Sequence, residues 1–141
     1  MFYLRKRTAY VPTMARTQAG FWLSVEPVDV APVADAEALK LVLLRAIERG
    51  NPVVPTPGRD HFPPDVMRRY CGMRSLSAFE RTAQLWSFGQ SADTYLISQW
   101  RRSEVHRGAW EQSLERTTVL AAMNVEEAVR RVADLAFAGP A

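Results

Sequence analysis

Asn51 to Pro64 carries five prolines in fourteen positions, and no other stretch limits the fold of this chain so severely. Each proline fixes φ near −65° and removes a backbone donor, and the residue before it is pushed toward extended geometry. Neither a helix nor a central strand can form there, so the segment is expected to be an ordered, extended surface loop. It does not read as a domain boundary, because neither flank holds enough apolar sequence for a core of its own. The whole chain of 141 residues is therefore expected to be one domain (1–141), a length at which folding buries roughly 70% of the unfolded surface.

Before the loop, Phe2–Arg7 reads as a short strand with Phe2 and Leu4 on one face and Tyr3 and Arg5 on the other. Thr8–Gly20 is basic, contains Pro12 and reads as turn-rich. Phe21–Glu26 alternates, with Phe21, Leu23 and Val25 facing one way and Trp22, Ser24 and Glu26 the other. Pro27 implies an edge or a bend there, and Val28 and Val30 extend the strand toward Pro32. A helix follows: Asp35 caps it, and Ala36, Leu39, Leu43, Ala46 and Ile47 share a face that Leu41 and Leu44 broaden. Arg49, Gly50 and Pro52 end it.

After the loop, Val66–Tyr70 can make one helical turn. Ser75–Gln84 reads as a short helix capped by Ser75 or Ser77, with Leu76, Phe79 and Ala83 inward. Leu85–Gln90 and Asp93–Trp100 form a hairpin turning at Gly89–Asp93, and a third strand is expected at His106–Gln112 around Trp110. Asn124-Val-Glu-Glu127 has the form of a capping box, followed by the stripe Val125, Ala128, Val129, Val132, Leu135 and Ala136. The sum is an α+β domain: an antiparallel sheet of about five or six strands with two main helices packed on one face.

Composition narrows the function. The longest strongly apolar run is Leu41–Leu44, far short of the roughly 20 residues a spanning helix needs. No signal-like segment opens the chain, so the cytosol is the expected compartment. One cysteine (Cys71) and two histidines (His61, His106) make neither an internal disulfide nor a Cys/His zinc set, so no metal or cofactor is expected. No phosphate loop, dinucleotide fingerprint, zincin helix or nucleophile elbow occurs. A Cys71–His61 or Cys71–His106 pair could generate a thiolate, but Cys71 between Tyr70 and Gly72 fits a small buried apolar residue better. Glu126 and Glu127 suit a helix N-terminus and not an acid/base pair. An enzyme is not expected.

The basic residues are more informative. Lys+Arg number 18 against 15 Asp+Glu, net +3, and sixteen of the eighteen are Arg. They gather as Arg5-Lys6-Arg7-Arg16, Arg68-Arg69-Arg74 and Arg101-Arg102-Arg107, interleaved with Tyr3, Tyr10, Tyr70, Trp100 and Trp110. Arg with aromatics grips phosphates and stacks bases, which makes a small nucleic-acid-binding protein the alternative reading. The weak net charge and the acids Asp60, Asp65, Glu104 and Glu111 nearby oppose it. An exposed Trp beside Arg is also what protein–protein hot spots are made from, while a Trp packed beneath an Arg stem is the competing arrangement. Candidate partner-binding residues are Trp22, Arg68, Arg69, Trp100, Arg101, Arg102 and Trp110.

Three segments carry a family likeness: Thr17-Gln-Ala-Gly-Phe-Trp-Leu-Ser-Val-Glu-Pro-Val28, Gly50-Asn-Pro-Val-Val-Pro55 with Phe62-Pro63, and Tyr70-Cys-Gly-Met-Arg-Ser-Leu-Ser-Ala-Phe-Glu-Arg81 leading to Trp86. Together they resemble immunity proteins encoded beside bacterial polymorphic toxins, including contact-dependent growth inhibition systems (CdiI-like). The resemblance implies binding and neutralising the C-terminal domain of a cognate toxin in the producer's cytosol, without catalysis. It transfers no functional residue, because its motifs are Gly, Pro and aromatic positions. An isoelectric point near 9.4 then implies an acidic or mixed toxin surface, or an acidic patch such as Glu26/Asp29 or Glu111/Glu115.

Overall fold

The computed structural model describes residues 1–61, 66–92, 94–107, 109–121 and 124–138. Among the described residues, seven strands and four helices run in the order β1 (Phe2–Arg5), β2 (Thr8–Thr17), β3 (Trp22–Pro32), α1 (Ala36–Arg49), β4 (Val53–Val54), α2 (Val66–Cys71), α3 (Leu76–Glu80), β5 (Gln84–Ser91), β6 (Thr94–Arg102), β7 (Trp110–Ala121) and α4 (Val125–Phe137), with a 3-10 turn at Arg59–His61. One sheet holds them, ordered β3-β2-β1-β5-β6-β7, antiparallel apart from β4, which pairs with the end of β2. The α+β expectation holds, and so does the placement of the two long helices.

The two faces of β1 explain the layering. Phe2 and Leu4 join Ala9, Val11, Ala31, Trp86 and Ile97 under α1 and α4, which contribute Leu39, Val42, Leu43, Val129, Val132 and Ala133. Phe2 stacks on Trp86 with ring centroids 6.5 Å apart. Tyr3, on the other face, joins Tyr10, Val28 and Leu85 beneath Met67 of α2 and Phe79 of α3. Both long helices thus lie on one face, and the two short ones close part of the other.

Several boundaries differ from the sequence reading. The first strand stops at Arg5, and Thr8–Thr17 is a full strand, not a turn-rich stretch. The turn between them is Lys6-Arg7, both at positive φ (46° and 65°), the conformation of a tight hairpin turn without its usual Asn-Gly signature. β2 also hides its strand character because it is buried on both faces, so it does not alternate: Ala9 to Thr13 are all buried. β3 follows its expectation as an edge strand, and the pairing register shifts between Pro12 and Thr13, opposite the cis Glu26–Pro27 bond. Phe21, expected in this strand on one face with Leu23 and Val25, lies outside it and is exposed, because Thr17–Phe21 forms the β2–β3 turn.

The helix caps fall where expected. Asp35 accepts from the Ala38 amide at 2.9 Å, Gly50 takes positive φ at the end of α1, and Asn124 accepts from the Glu127 amide at 2.9 Å. The buried stripe of α1 centres on Leu39, Val42 and Leu43; Ala36, Leu41 and Ile47 are exposed, so the helix is less covered than the sequence implied. Ser75 caps α3, accepting from the Ala78 amide at 3.1 Å, but the helix ends at Glu80 and Gln84 already opens β5. β7 begins at Trp110 and runs to Ala121, later and longer than expected. Asp93 and the side chain of Ala136 lie outside the described residues, as do Phe62 and Pro63.

Proline leaves a carbonyl even where it removes an N–H. The proline-rich loop uses this: Pro52 O accepts from the Arg16 amide at 2.9 Å and Val54 O from Gln18 at 3.0 Å. The Thr56 hydroxyl accepts from the Ala19 amide at 3.0 Å. Residues Pro52–Thr56 thus lend acceptors to the end of β2 and carry the two-residue strand β4.

Candidate functional site

The described residues hold no group of three or more His, Cys, Asp or Glu arranged to grip a metal ion. Cys71 is half-buried with Sγ 3.9 Å from the Arg68 carbonyl, while His61 and His106 are exposed on two different loops. None of their helices is long and apolar enough to cross a membrane.

The seven candidate residues separate into two groups at opposite ends of the sheet. Trp22 lies on the edge strand β3, 53% exposed, and Arg68 and Arg69 are exposed on α2. Glu26 binds this corner together: Arg69 Nη1 approaches Glu26 Oε1 at 3.5 Å and the Tyr70 hydroxyl donates to Glu26 Oε2. That bond, with the carboxylate's charge, raises the Tyr70 pKa, since ionisation would set two anions side by side. Trp100, Arg101, Arg102 and Trp110 lie on β6 and β7. β3 and β7 are the outer strands, five strand spacings or about 24 Å apart.

In the second group the two Trp readings resolve by position. Trp100 and Trp110 are partly buried against the Tyr3/Phe79 cluster. The Trp100 indole donates to Ser87 Oγ at 2.8 Å. The Arg102 guanidinium lies 4.2 Å from the centre of the Trp110 ring, a cation–π contact worth about 1 kcal/mol. Glu80 of α3 holds it there, its Oε2 3.1 Å from Arg102 Nη2. Trp110 Nε1 is buried with no hydrogen-bond partner among the described residues. Arg101 points to the other side, reaching Glu111 Oε2 at 3.8 Å. Trp110 is therefore packed beneath an arginine, whereas Trp22 is exposed.

Beyond this cluster the outer strand β7 carries exposed side chains. Helix α2 packs on β2 and β3, and α3 meets β6 and β7 at its end, where Phe79 joins the cluster that includes Trp100 and Trp110 and Glu80 pairs with Arg102. Ser98 Oγ is bonded to Thr117 Oγ1 (2.9 Å) and Gln112 Nε2 (2.7 Å). A wide bulge interrupts β7 between Gln112 and Thr117, and Leu114 in it is 82% exposed. Val119 on the same strand and Val105 in the preceding loop are also exposed. Edge strands are commonly guarded by such bulges, which stop continued pairing with another sheet.

Two clefts flank the sheet. One, of about 320 Å³, opens among Met1, Val11, Leu43, Ile47 and Phe88, where β1 no longer faces β2 beyond Tyr10. The other, of about 470 Å³, lies between α3 and the β6–β7 loop, with Leu76, Ser77 and Arg81 on one wall and Arg102, Ser103 and Arg107 on the other. Sequence reasoning placed Arg107 in a basic cluster but missed Glu80 and Arg81. Nothing local marks them, since they meet Arg102 only because α3 folds onto the sheet.

The architecture defines a class: an α+β domain with its long helices on one face of the sheet and two short ones on the other. No known protein family matches the chain, and neither does any curated protein. A solved structure, a protein of unknown function, NMB0488 from Neisseria meningitidis, is similar over 97% of this chain and 91% of that one, with a TM-score of 0.64 and 16% identity. At that identity the likeness is one of fold.

Proposed function

We propose that this chain is an immunity protein that binds a cognate toxin domain in the cytosol and neutralises it by occlusion, without catalysis or a cofactor. The observation that carries the reading is the set of large apolar side chains exposed on and beside β7, an outer strand of the sheet. Leu114 and Val119 stand exposed on β7 with Arg116 between them in the chain, and Val105 is exposed in the β6–β7 loop beside Arg107. Apolar anchors with Arg at their margin are the composition of protein-binding hot spots. The segments resembling immunity proteins form the joints of the fold: the β2–β3 turn and bulge, the end of α1 with β4, and α2–α3.

The nucleic-acid alternative has less support. Arg69, Arg101 and Arg102 each face a glutamate, and the two basic groups lie at opposite ends of the sheet instead of forming a continuous track. Co-expression with the product of the adjacent open reading frame tests the proposal. Growth rescue with co-purification of a complex is the expected result, and failure of both refutes it. Nucleic-acid binding would instead show affinity falling steeply as salt rises.

A further inference from the structure

Resting on the immunity reading, we propose that the cleft between α3 and the β6–β7 loop receives an acidic segment of the partner protein, held by Arg81 and Arg107. Arg102 lines the same cleft, but its charge is met by Glu80 at 3.1 Å and its plane is set against Trp110. Arg81 and Arg107 are exposed and make no ion pair or side-chain hydrogen bond among the described residues. The cleft thus presents two uncompensated guanidinium groups on opposite walls, each able to take a carboxylate through two parallel N–H donors. Ser77 adds a hydroxyl on the α3 wall, and Leu76 gives the same wall an apolar patch for side-chain stems.

Size and surroundings favour a peptide carboxylate over a phosphate backbone. About 470 Å³ accommodates a few side chains, not a strand of nucleotides. Glu104, exposed in the adjoining loop, would repel a run of phosphates. The cleft also adjoins exposed Val105, so an acidic segment seated in it lies beside an apolar contact. The basic character of the whole chain thereby acquires a local purpose, as a receptor for acidic side chains.

The test uses the toxin domain from the co-expression experiment, purified as a catalytically inactive variant, and Arg81→Glu/Arg107→Glu in the full chain. Neither side chain supports the fold, and an unchanged melting temperature checks this. Charge reversal is expected to weaken the complex at least 10-fold, mostly through slower association, and to flatten its salt dependence. Equal affinity and equal salt dependence for variant and wild type would overturn the cleft assignment while leaving the immunity reading intact. No complex with the wild-type chain would instead remove the immunity reading and this inference with it. Binding of polyuridylate by the wild type, lost in the variant, would overturn the proposal in favour of a phosphate site.

Discussion

Phe79→Ala should separate the two layers of this protein. Phe79 is fully buried on α3 and stands edge-on to Tyr3 (5.3 Å, 62°) and Tyr10 (5.4 Å, 85°). Truncating such a ring costs about 3–5 kcal/mol, from lost transfer energy and the cavity left behind. Loss of two aromatic contacts places the value near the middle or top of that range, about 4 kcal/mol. For a chain of this length that corresponds to a fall in melting temperature of about 12 °C. The consequence is also local. α3 has five residues, too few to hold a helix without tertiary contacts, so losing its anchor should release Glu80 from Arg102. Urea unfolding followed by tryptophan fluorescence gives the global loss, and amide hydrogen exchange on α3 gives the local one. Leu39→Ala, on α1 over the opposite face, is the control: a cost of about 3 kcal/mol with the α3 amides still protected. A loss below about 1 kcal/mol for Phe79→Ala, with α3 exchange unchanged, would refute the assignment of Phe79 as the fastening of that layer.

Tyr3 makes stability sensitive to alkali. Burial first, then the Glu80 carboxylate, pushes its pKa from 10 up to about 12. The folded state thus retains a proton that the unfolded chain has already lost. This contribution is complete below pH 10 and disappears as pH rises through 12, a fall of about 2–3 kcal/mol. Urea titrations at pH 9 to 12 should show that decline and Tyr3→Phe should lack it; an identical decline in the variant would exclude Tyr3 as its source. Asp29 is the second probe. It bonds Arg49 at 2.5 Å and lies 3.5 Å from Arg45, while Arg49 Nε and Nη2 are buried without partners among the described residues. Asp29→Ala should cost about 2 kcal/mol in thermal unfolding, whereas Asp29→Leu with Arg49→Met should be nearly neutral. Additive losses in that pair would show that the two side chains act independently.

Local rules were enough wherever a backbone group needed a nearby partner or a helix had a free face. Asp35, Ser75 and Asn124 cap their helices because their oxygens reach amides three residues on, a relation written entirely in the sequence. The opposite faces of β1 follow from alternation, and the stripe of α4 from helical periodicity. β2 was illegible for the converse reason. A strand buried on both faces has no alternation to read, and its turn at Lys6-Arg7 lacks glycine and asparagine.

The candidate surface divides the same way. Its arginines and tryptophans can be picked out by composition, but their roles depend on strand order. Trp22 and Trp110 look alike in sequence, yet one stands exposed on an edge strand and the other lies under Arg102 because α3 brings Glu80 across 22 positions. The sequence by itself determined the α+β class, the helix caps and the segregation of the long helices, since each depends on hydrogen bonds or periodicity within a few residues. Only the tertiary structure decided which charges were compensated and which apolar side chains stayed exposed. Ion pairs and burial depend on distance in space, and pairing β1 with β5 brings together residues some eighty positions apart.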